Sequence, residues 1–586
     1  MPTIRLPLVG TFNQRGIDGD AALTLNEDQR FLNCTFNLVQ NPVTGKSTVY
    51  AEKRPGLGAD STVSSGIAST GLIRPLAFNA AFSAFGETNS AVYVGTVHVG
   101  NITGRALHFT ETLISASSYV VLKSSDGTGW YYPDGAKDVT SYVGDTINGN
   151  FLVTTASVIS DVYTGQLITG GQMGAGARVS SVNTATSTFG LTVAATATST
   201  GAVVTKEPIA KILDADFIST GVYRSAFTPL DGYLFYSTDD GNLRNSDLNS
   251  VSLYTANASI AVQQSPDPTV AVAVQKNTVV AFGTGSNEKF QNAGFATAPL
   301  QVVKSQLEHI GSLDQRSITT LDDDIFFVST PSEGDLGVYQ MRGLQSAKIS
   351  PPNVDRIIGT NATNGAIYAQ SFKLGGYPYA AFIMSLASDG PASNILLESG
   401  DALLLESGDN LLLEDTPAQS ASYVRTMVYN PTIKIWGEWD CEEATFIDSV
   451  GSGASNQLIA TSRFNTGGKV YTINPVSQGA LYQDDGTSYT MEIRTSKVLD
   501  GPNTKVIDEI TLLGWDSSNT TMPYLSYSDD DYASFSTNRQ FALHDGIPTL
   551  TRLGSHRSGR AYKITSSSNS PFRAEALGIR YRGGLR

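Results

Sequence analysis

Histidine and cysteine are scarce in this chain, and their scarcity removes most of the side-chain chemistry available to a protein. The two cysteines, Cys34 and Cys441, lie too far apart in sequence to define a disulfide framework and too few to supply the thiolate cluster of a structural zinc site, so they read as ordinary buried residues of a reducing compartment. The five histidines, His98, His108, His309, His544 and His556, show no i, i+4 spacing around a glutamate, and none sits by a Gly-x-Ser-x-Gly elbow. A Gly-x-x-x-x-Gly-Lys-Ser/Thr phosphate loop is absent as well. No catalytic, cofactor-binding or metal-ligating residue is assigned on this reading, no cofactor is expected, and the chain is read as a non-enzyme. Long apolar runs are missing: none approaches the roughly 18 residues that cross a bilayer. Met1 to Gly10 lacks the apolar core of a secretory signal. The expectation is a soluble protein made and assembled in a cytoplasm. Charge is sparse at 16%, and the deficient sign is positive, with 39 Lys and Arg against 54 Asp and Glu and a net charge of −15. Affinity for the outside of nucleic acid comes mainly from cations that replace condensed counterions, so tight duplex binding is disfavoured.

What the sequence has instead is turn and strand chemistry. With 586 residues, 56 Gly, 25 Tyr and long stretches of Ser, Thr and Val, it exceeds what one core organises and favours strands over helices. A short apolar strand, a turn rich in Asp and Gly, and a second strand recur at Asp231 to Leu243 (DGYLFYSTDDGNL), Lys276 to Phe290 (KNTVVAFGTGSNEKF) and Asp323 to Tyr339 (DDIFFVSTPSEGDLGVY). Taking Leu234, Val279 and Ile325 as equivalent gives steps of 45 and 46 residues, the spacing of propeller blades, against a β-sandwich as the competing architecture. Further copies are expected near Ile383 and Leu458. The predicted fold is all-β: a β-propeller-like core of about six or seven blades, with an inserted small β domain and a C-terminal β-sandwich-like region. The expected organisation is an extended N-terminal arm (1–60), the first part of the propeller (61–136), the inserted β domain (137–206), propeller blades (207–387), an octad hairpin insertion (388–420), further blades (421–486) and a C-terminal β region (487–586).

Between Phe151 and Thr205 only Asp161 and Arg178 are charged, while apolar strands alternate with Gly turns, which marks the inserted β domain. Ile395 to Asp415 repeats ILLESGDA, LLLESGDN, LLLED. A glycine every eight residues costs a helix about 1 kcal/mol each time, so these octads read as short hairpin strands that need a pairing partner. The runs Asp322-Asp323-Asp324 and Asp529-Asp530-Asp531 could suit a hard cation, but successive strand residues point to opposite faces, so solvated turns are the better reading. Three segments partly fit the Ser-x-Asp-x-Gly-x-x-aromatic hairpin of sialidase propellers: Ser124/Asp126/Trp130, Ser237/Asp239/Gly241 and Ser528/Asp530/Phe535. Such hairpins stabilise blade turns and do not catalyse.

Several short stretches, in order along the chain, carry a resemblance. They are Lys53-Arg54-Pro55-Gly56 after NCTFNLVQNP, the run from Gly283 to Gly294 (GTGSNEKFQNAG), Ser317-Ile318, Leu321-Asp322-Asp323 before IFFV, Gly337-Val338-Tyr339, Lys348-Ile349-Ser350, Thr426 to Tyr429 with Trp436, Arg552-Leu553-Gly554 and Arg557. In this order they resemble the packaged-DNA stabilization proteins of short-tailed bacteriophages, which form the tail hub or nozzle. The glycines of GTGSNEKFQNAG are expected to serve a turn at positive φ. The resemblance implies a homo-oligomeric ring, a hexamer, below the portal and the head-tail adaptor protein, with tail fibres or spikes around it. DNA would pass through the channel without sequence-specific binding, and the site would be the virion tail. The alternatives are a carbohydrate-binding receptor module or tail fibre component, which would usually show a long trimeric region, and a propeller glycosidase, which would need two carboxylates facing a cleft.

Overall fold

The computed structural model describes residues 3–583 apart from 10–28, 41–46, 60–72, 77–82, 134–139, 219–224, 330–335, 386–423, 441–445, 451–456, 462–469, 474–481, 515–521 and gaps of one to three residues elsewhere. The octads therefore lie outside the described residues.

Among the described residues, seven four-stranded antiparallel units follow one another. Blade 1 is Ile73–Leu76, Ser83–Thr88, Ala91–Val94 and Val97–Asn101. Blade 2 is Ala106–Ile114, Ser117–Ser124 and Gly129–Pro133 with the end of Ser199–Lys211 outermost. Blade 3 is Thr228–Leu230, Tyr233–Ser237, Asn242–Ser246 and Tyr254–Ala261. Blade 4 is Thr269–Gln275, Thr278–Gly283, Asn287–Asn292 and Leu300–Val302. Blade 5 is Ile318–Leu321, Asp324–Ser329, Gly337–Arg342 and Gln345–Lys348. Blade 6 is Ile367–Leu374, Tyr377–Ser385, Val424–Asn430 and Ile435–Trp439. Blade 7 is Phe446–Val450, Gln457–Thr461 and Val470–Ile473, completed by Leu57–Ala59. Its first strand lies beside the first strands of both blade 6 and blade 1, so the ring closes. The fold is an all-β propeller, as the spacing predicts.

A blade buries both faces, which is why its second strands read as continuous apolar runs. Leu234, Val279 and Ile325 occupy the second strands of blades 3, 4 and 5, are fully buried, and each faces the preceding blade. Ile383 lies on the second strand of blade 6. There, however, Ala380, Phe382 and Met384 are the residues packed towards blade 5.

The N-terminal segment differs from the extended arm expected over 1–60. Cys34–Gln40 and Ser47–Lys53 form a hairpin. Arg30–Leu32 runs between blade 6 and Met491–Arg494, Thr3–Pro7 pairs with Ala576–Gly583, and Leu57–Ala59 closes blade 7. Buried Cys34, Phe36 and Ala51 alternate with more exposed residues, and outside its own hairpin the segment pairs with strands more than 400 residues away. The C-terminal strands extend the sheet of blade 6, and the N-terminal hairpin with Arg573–Ala574 forms a second sheet over the same core. This is the sandwich-like region.

Within the insertion, Thr140–Thr146 and Gln166–Thr169 pair with Ser199–Lys211, and Leu152–Thr155, Thr188–Leu191 and Val179–Asn183 continue the sheet in that order from Thr140–Thr146. Leu167 bridges Arg178, which closes the sheet around Val153, Ile168, Phe189, Leu191 and Val204. The shared strand then enters blade 2, where Ala210 and Lys211 pair with Tyr131 and Trp130.

Candidate functional site

Several of the residues that carry the resemblance form buried clasps between blades and domains. Asn287, Glu288 and Lys289 of GTGSNEKFQNAG are each at most 1% exposed. The Lys289 ammonium lies 2.9 Å from Glu308 Oε2, in the connection from blade 4 to blade 5. Glu308 also accepts from the backbone N–H and hydroxyl of Ser346, on the outer strand of blade 5, at 2.9 and 2.7 Å, and from Asn287 Nδ2 at 3.2 Å. Burial presses the Lys289 pKa below its ordinary value, with Glu308 pulling the other way. For Glu308 burial acts upward, but the Ser346 and Lys289 contacts outweigh it and hold the carboxyl below the usual range. On the opposite face, Glu288 Oε1 accepts from the backbone N–H of Gln264 at 2.6 Å, and burial raises its pKa.

Of the glycines of this motif, Gly294 serves positive φ as expected (φ 74°) in the turn where its N–H donates to Asn292 Oδ1, whereas Gly283 and Gly285 are not in the left-handed region. Close approach is what they allow. A Cβ on Gly283 would overlap the Asp267 carboxylate, which accepts from Gly285 N, Ser286 N and Ser286 Oγ at 2.7–3.0 Å. A Cβ on Gly311 would overlap the Thr284 carbonyl.

A second clasp joins the ring seam to the C-terminal region. Arg54, 1% exposed, pairs with Asp484 through both terminal nitrogens, with Nη1 to Oδ1 at 3.0 Å. Its Nε donates to Asn33 Oδ1 at 2.9 Å, and the guanidinium stacks 4.0 Å from the Tyr489 ring centroid. Asp484 Oδ1 also accepts from Leu57 N at 3.1 Å, so one carboxylate holds both the arginine and the strand that closes blade 7. Lys53, 2% exposed, donates to the Ser568 carbonyl at 2.7 Å. Burial, and then the adjacent Arg54 cation, bring its pKa down to about 8 against the pull of Asp484.

Elsewhere the quoted residues bridge neighbours in the same way. Ser317 Nα donates to Asp314 Oδ1 at 3.0 Å in a capping box, the Ser350 hydroxyl accepts from Val338 N at 2.8 Å, and Trp436 Nε1 donates to the Ile349 carbonyl at 2.9 Å. Arg557 Nε reaches Thr504 Oγ1 at 2.9 Å.

The acidic runs do not converge. Asp322, Asp323 and Asp324 pair separately with Lys373, Lys276 and Arg342. Asp529 holds buried Arg560 at 2.7 Å, Asp530 accepts from Ser528 and Ser534, and Asp531 lies outside the described residues. Two of the three Asp hairpins form as quoted. Asp126 accepts from Thr128 N and Oγ1 while buried Trp130 Nε1 donates to that hydroxyl at 2.7 Å. In the third, the working pair is Thr238 and Asp240, one residue beyond Ser237 and Asp239, because Asp240 is the one reaching Asn242 and Arg244. The Ser528/Asp530 hairpin belongs to the C-terminal region, outside the propeller. The five histidines fall on separate elements, and among the described residues no group of three or more His, Cys, Asp or Glu could hold a metal ion.

None of the curated proteins compared matches this chain. Among solved structures it is similar to Raptor from Chaetomium thermophilum (9% identity, 72% of this chain and 29% of that one, TM-score 0.33). It is also similar to the endosialidase of phage phi92 (11%, 93% and 67%, 0.21) and to an exo-β-1,3-galactanase from Phanerochaete chrysosporium (10%, 94% and 96%, 0.18). Scores this low carry no weight for activity. Residues 96–371, from the last strand of blade 1 into the first strand of blade 6, match the model of a family described as bacteriophage P22 Gp10, beta-propeller. Over that span the chain is similar to the β-propeller of this phage stabilisation family, in agreement with the resemblance read from its motifs.

Proposed function

We propose that the chain is a structural, non-enzymatic subunit of the nozzle or hub of a short phage tail. Identical copies form a ring, a hexamer, below the portal and adaptor and surrounded by fibres or spikes. The ring retains packaged DNA and conducts it at ejection. The observation that carries this reading is the family match over residues 96–371.

The physics of the chain supports a conduit that does not grip. Residues 487–586 hold 12 Lys and Arg against 10 Asp and Glu, leaving 27 against 44 in residues 1–486. Of the C-terminal arginines that could face phosphate, three are engaged within the chain, Arg580 with Glu509 at 2.8 Å, Arg582 with Asp508 at 3.3 Å and Arg573 stacked 4.9 Å from the centroid of Tyr50, while Arg586 lies outside the described residues. A wall of net negative charge keeps a duplex centred behind a water layer, whereas a basic one would hold it through many counterion-releasing contacts. Gel shift with duplex DNA across a salt series tests this mechanism. No measurable binding is expected near physiological salt, and tight binding with a steep salt slope would overturn the sliding conduit.

A further inference from the structure

Among the exposed apolar surfaces of the described residues, two differ in charge: the first is acidic, and the second carries Arg539 and Arg552 against Asp545. The first lies on one rim of the propeller, across blades 2 to 4. The hairpin tip of blade 2 packs Ile114 with Val251 and Tyr254 of blade 3. The loop Asp247–Leu253 bonds to the turn at Gly232, and the loop after Asn292 reaches back so that Thr297 accepts from Asn245 of blade 3 at 3.1 Å. These adjoining loops expose Leu113 (68%), Leu248 (55%), Leu253 (56%) and Phe295 (56%). Their charges are Asp231 and Asp247, whose carboxylates accept from Asn292 and Thr255 and meet no cation among the described residues, and the loops contain no Lys or Arg. The second surface is the hairpin Ala542–His544 with Ile547–Thr551, which joins its sheet only through Thr549, Leu550 and Thr551. Beyond those rungs it projects as a finger. Leu543 pairs with Pro548 and His544 with Ile547, so Leu543 (57% exposed) and Ile547 (47%) point to opposite faces, both uncovered. At its base, Arg539 donates to the carbonyls of Thr551 and Arg552, and neither arginine meets a carboxylate among the described residues.

We propose that the finger at Ala542–Thr551 of one copy seats on the blade 2–4 rim of the next copy. The contact would bury the Leu543 face of the finger against Leu253 and Phe295 and set Arg539 and Arg552 beside Asp231 and Asp247. Two different patches of one chain that complement each other make a head-to-tail contact, which closes into a ring when the rotation per copy allows. Apolar centres with charged rims are the anatomy of protein interfaces. The inference rests on the ring reading given above and adds the surfaces that build it.

The test is light-scattering mass across a concentration series for the full chain and for Leu543→Asp, Phe295→Asp, Asp247→Arg, Arg552→Asp and the last two combined. All these residues are at the surface, and unchanged circular dichroism verifies folding. Each apolar variant should weaken assembly by at least about tenfold, and the combined charge swap should assemble better than either swap alone. In a mixture of Leu253→Cys and Leu543→Cys chains, oxidation should yield a crosslinked dimer that neither gives alone. An assembly that survives every variant and yields no such crosslink overturns the finger contact while leaving the ring reading standing. A wild-type chain that stays monomeric at all concentrations overturns both.

Discussion

Replacing Arg54 by methionine isolates what holds the propeller shut. The side chain is 1% exposed, and its loss strips Asp484 of its cation while leaving it only the Leu57 N–H among its contacts described above. Removing one partner of a buried pair costs about 3–5 kcal/mol, because the remaining charge stays desolvated. That strain falls on the strand that closes blade 7. Opening of the seam should therefore become about 10²- to 10⁴-fold more frequent. Hydrogen exchange read by mass spectrometry locates the effect, because the amides of Leu57–Ala59 and of Tyr471–Ile473, paired across the seam, report it directly. They should exchange faster by that factor while the second strand of blade 4 keeps its protection. Asp484→Leu with Arg54→Met should cost less than the two single changes added together, since no charge is then left buried alone. Unaltered exchange at the seam, or a uniform rise over blades 2 to 5, would refute the clasp.

Lys53, with a folded pKa of about 8 against an unfolded value of 10.5, binds its proton more weakly when folded. Between those pH values the unfolded chain holds more protons, so this group makes stability rise from pH 8 to 10.5, by about 3 kcal/mol in full. Lys53→Met should flatten that rise in urea titrations, and identical slopes would contradict it. At the blade 4–5 clasp, Glu308→Gln strands the fully buried Lys289 cation, whereas Lys289→Met leaves Glu308 its Ser346 donors. The first change should therefore lower the thermal midpoint more than the second, and the reverse order would count against the clasp. Gly311→Ala should destabilise the same seam by about 1–3 kcal/mol through overpacking, whereas Gly343→Ala, at a positive φ with open space around it, should report backbone strain alone. Equal effects on exchange at the blade 4–5 seam would show that the close approach is not limiting.

The ring was legible where blades keep their own strands in sequence. The 45 and 46 residue steps land on equivalent buried positions because the second strands of blades 3, 4 and 5 are buried on both faces. The next step finds the right strand of blade 6 but shifts to Ile383, whose neighbours Ala380, Phe382 and Met384 take the face towards blade 5, since a slip of one residue inverts a strand. Closure was not legible. Leu57–Ala59 is three residues long, has no alternation to show, and pairs with residues more than 400 positions later. The burial of the charged motifs was not legible either. Lys53-Arg54 and Asn287-Glu288-Lys289 are residue types rarely buried unless paired, and their partners Asp484, Glu308 and Ser346 are connected to them by no local pattern. The Asp hairpins were nearly readable, because the carboxylate, the turn and the returning donor are all local; the one at Thr238 and Asp240 was displaced by a single residue.

The central claim is that this chain is a ring-forming conduit. Class-averaged electron micrographs of the purified assembly, alone and with linear duplex DNA, test it most directly. The account predicts a closed ring of identical subunits around an open channel, with DNA absent or threaded through and never coating the outside. A monomer, or a chain decorating the outer surface of duplex, would contradict it.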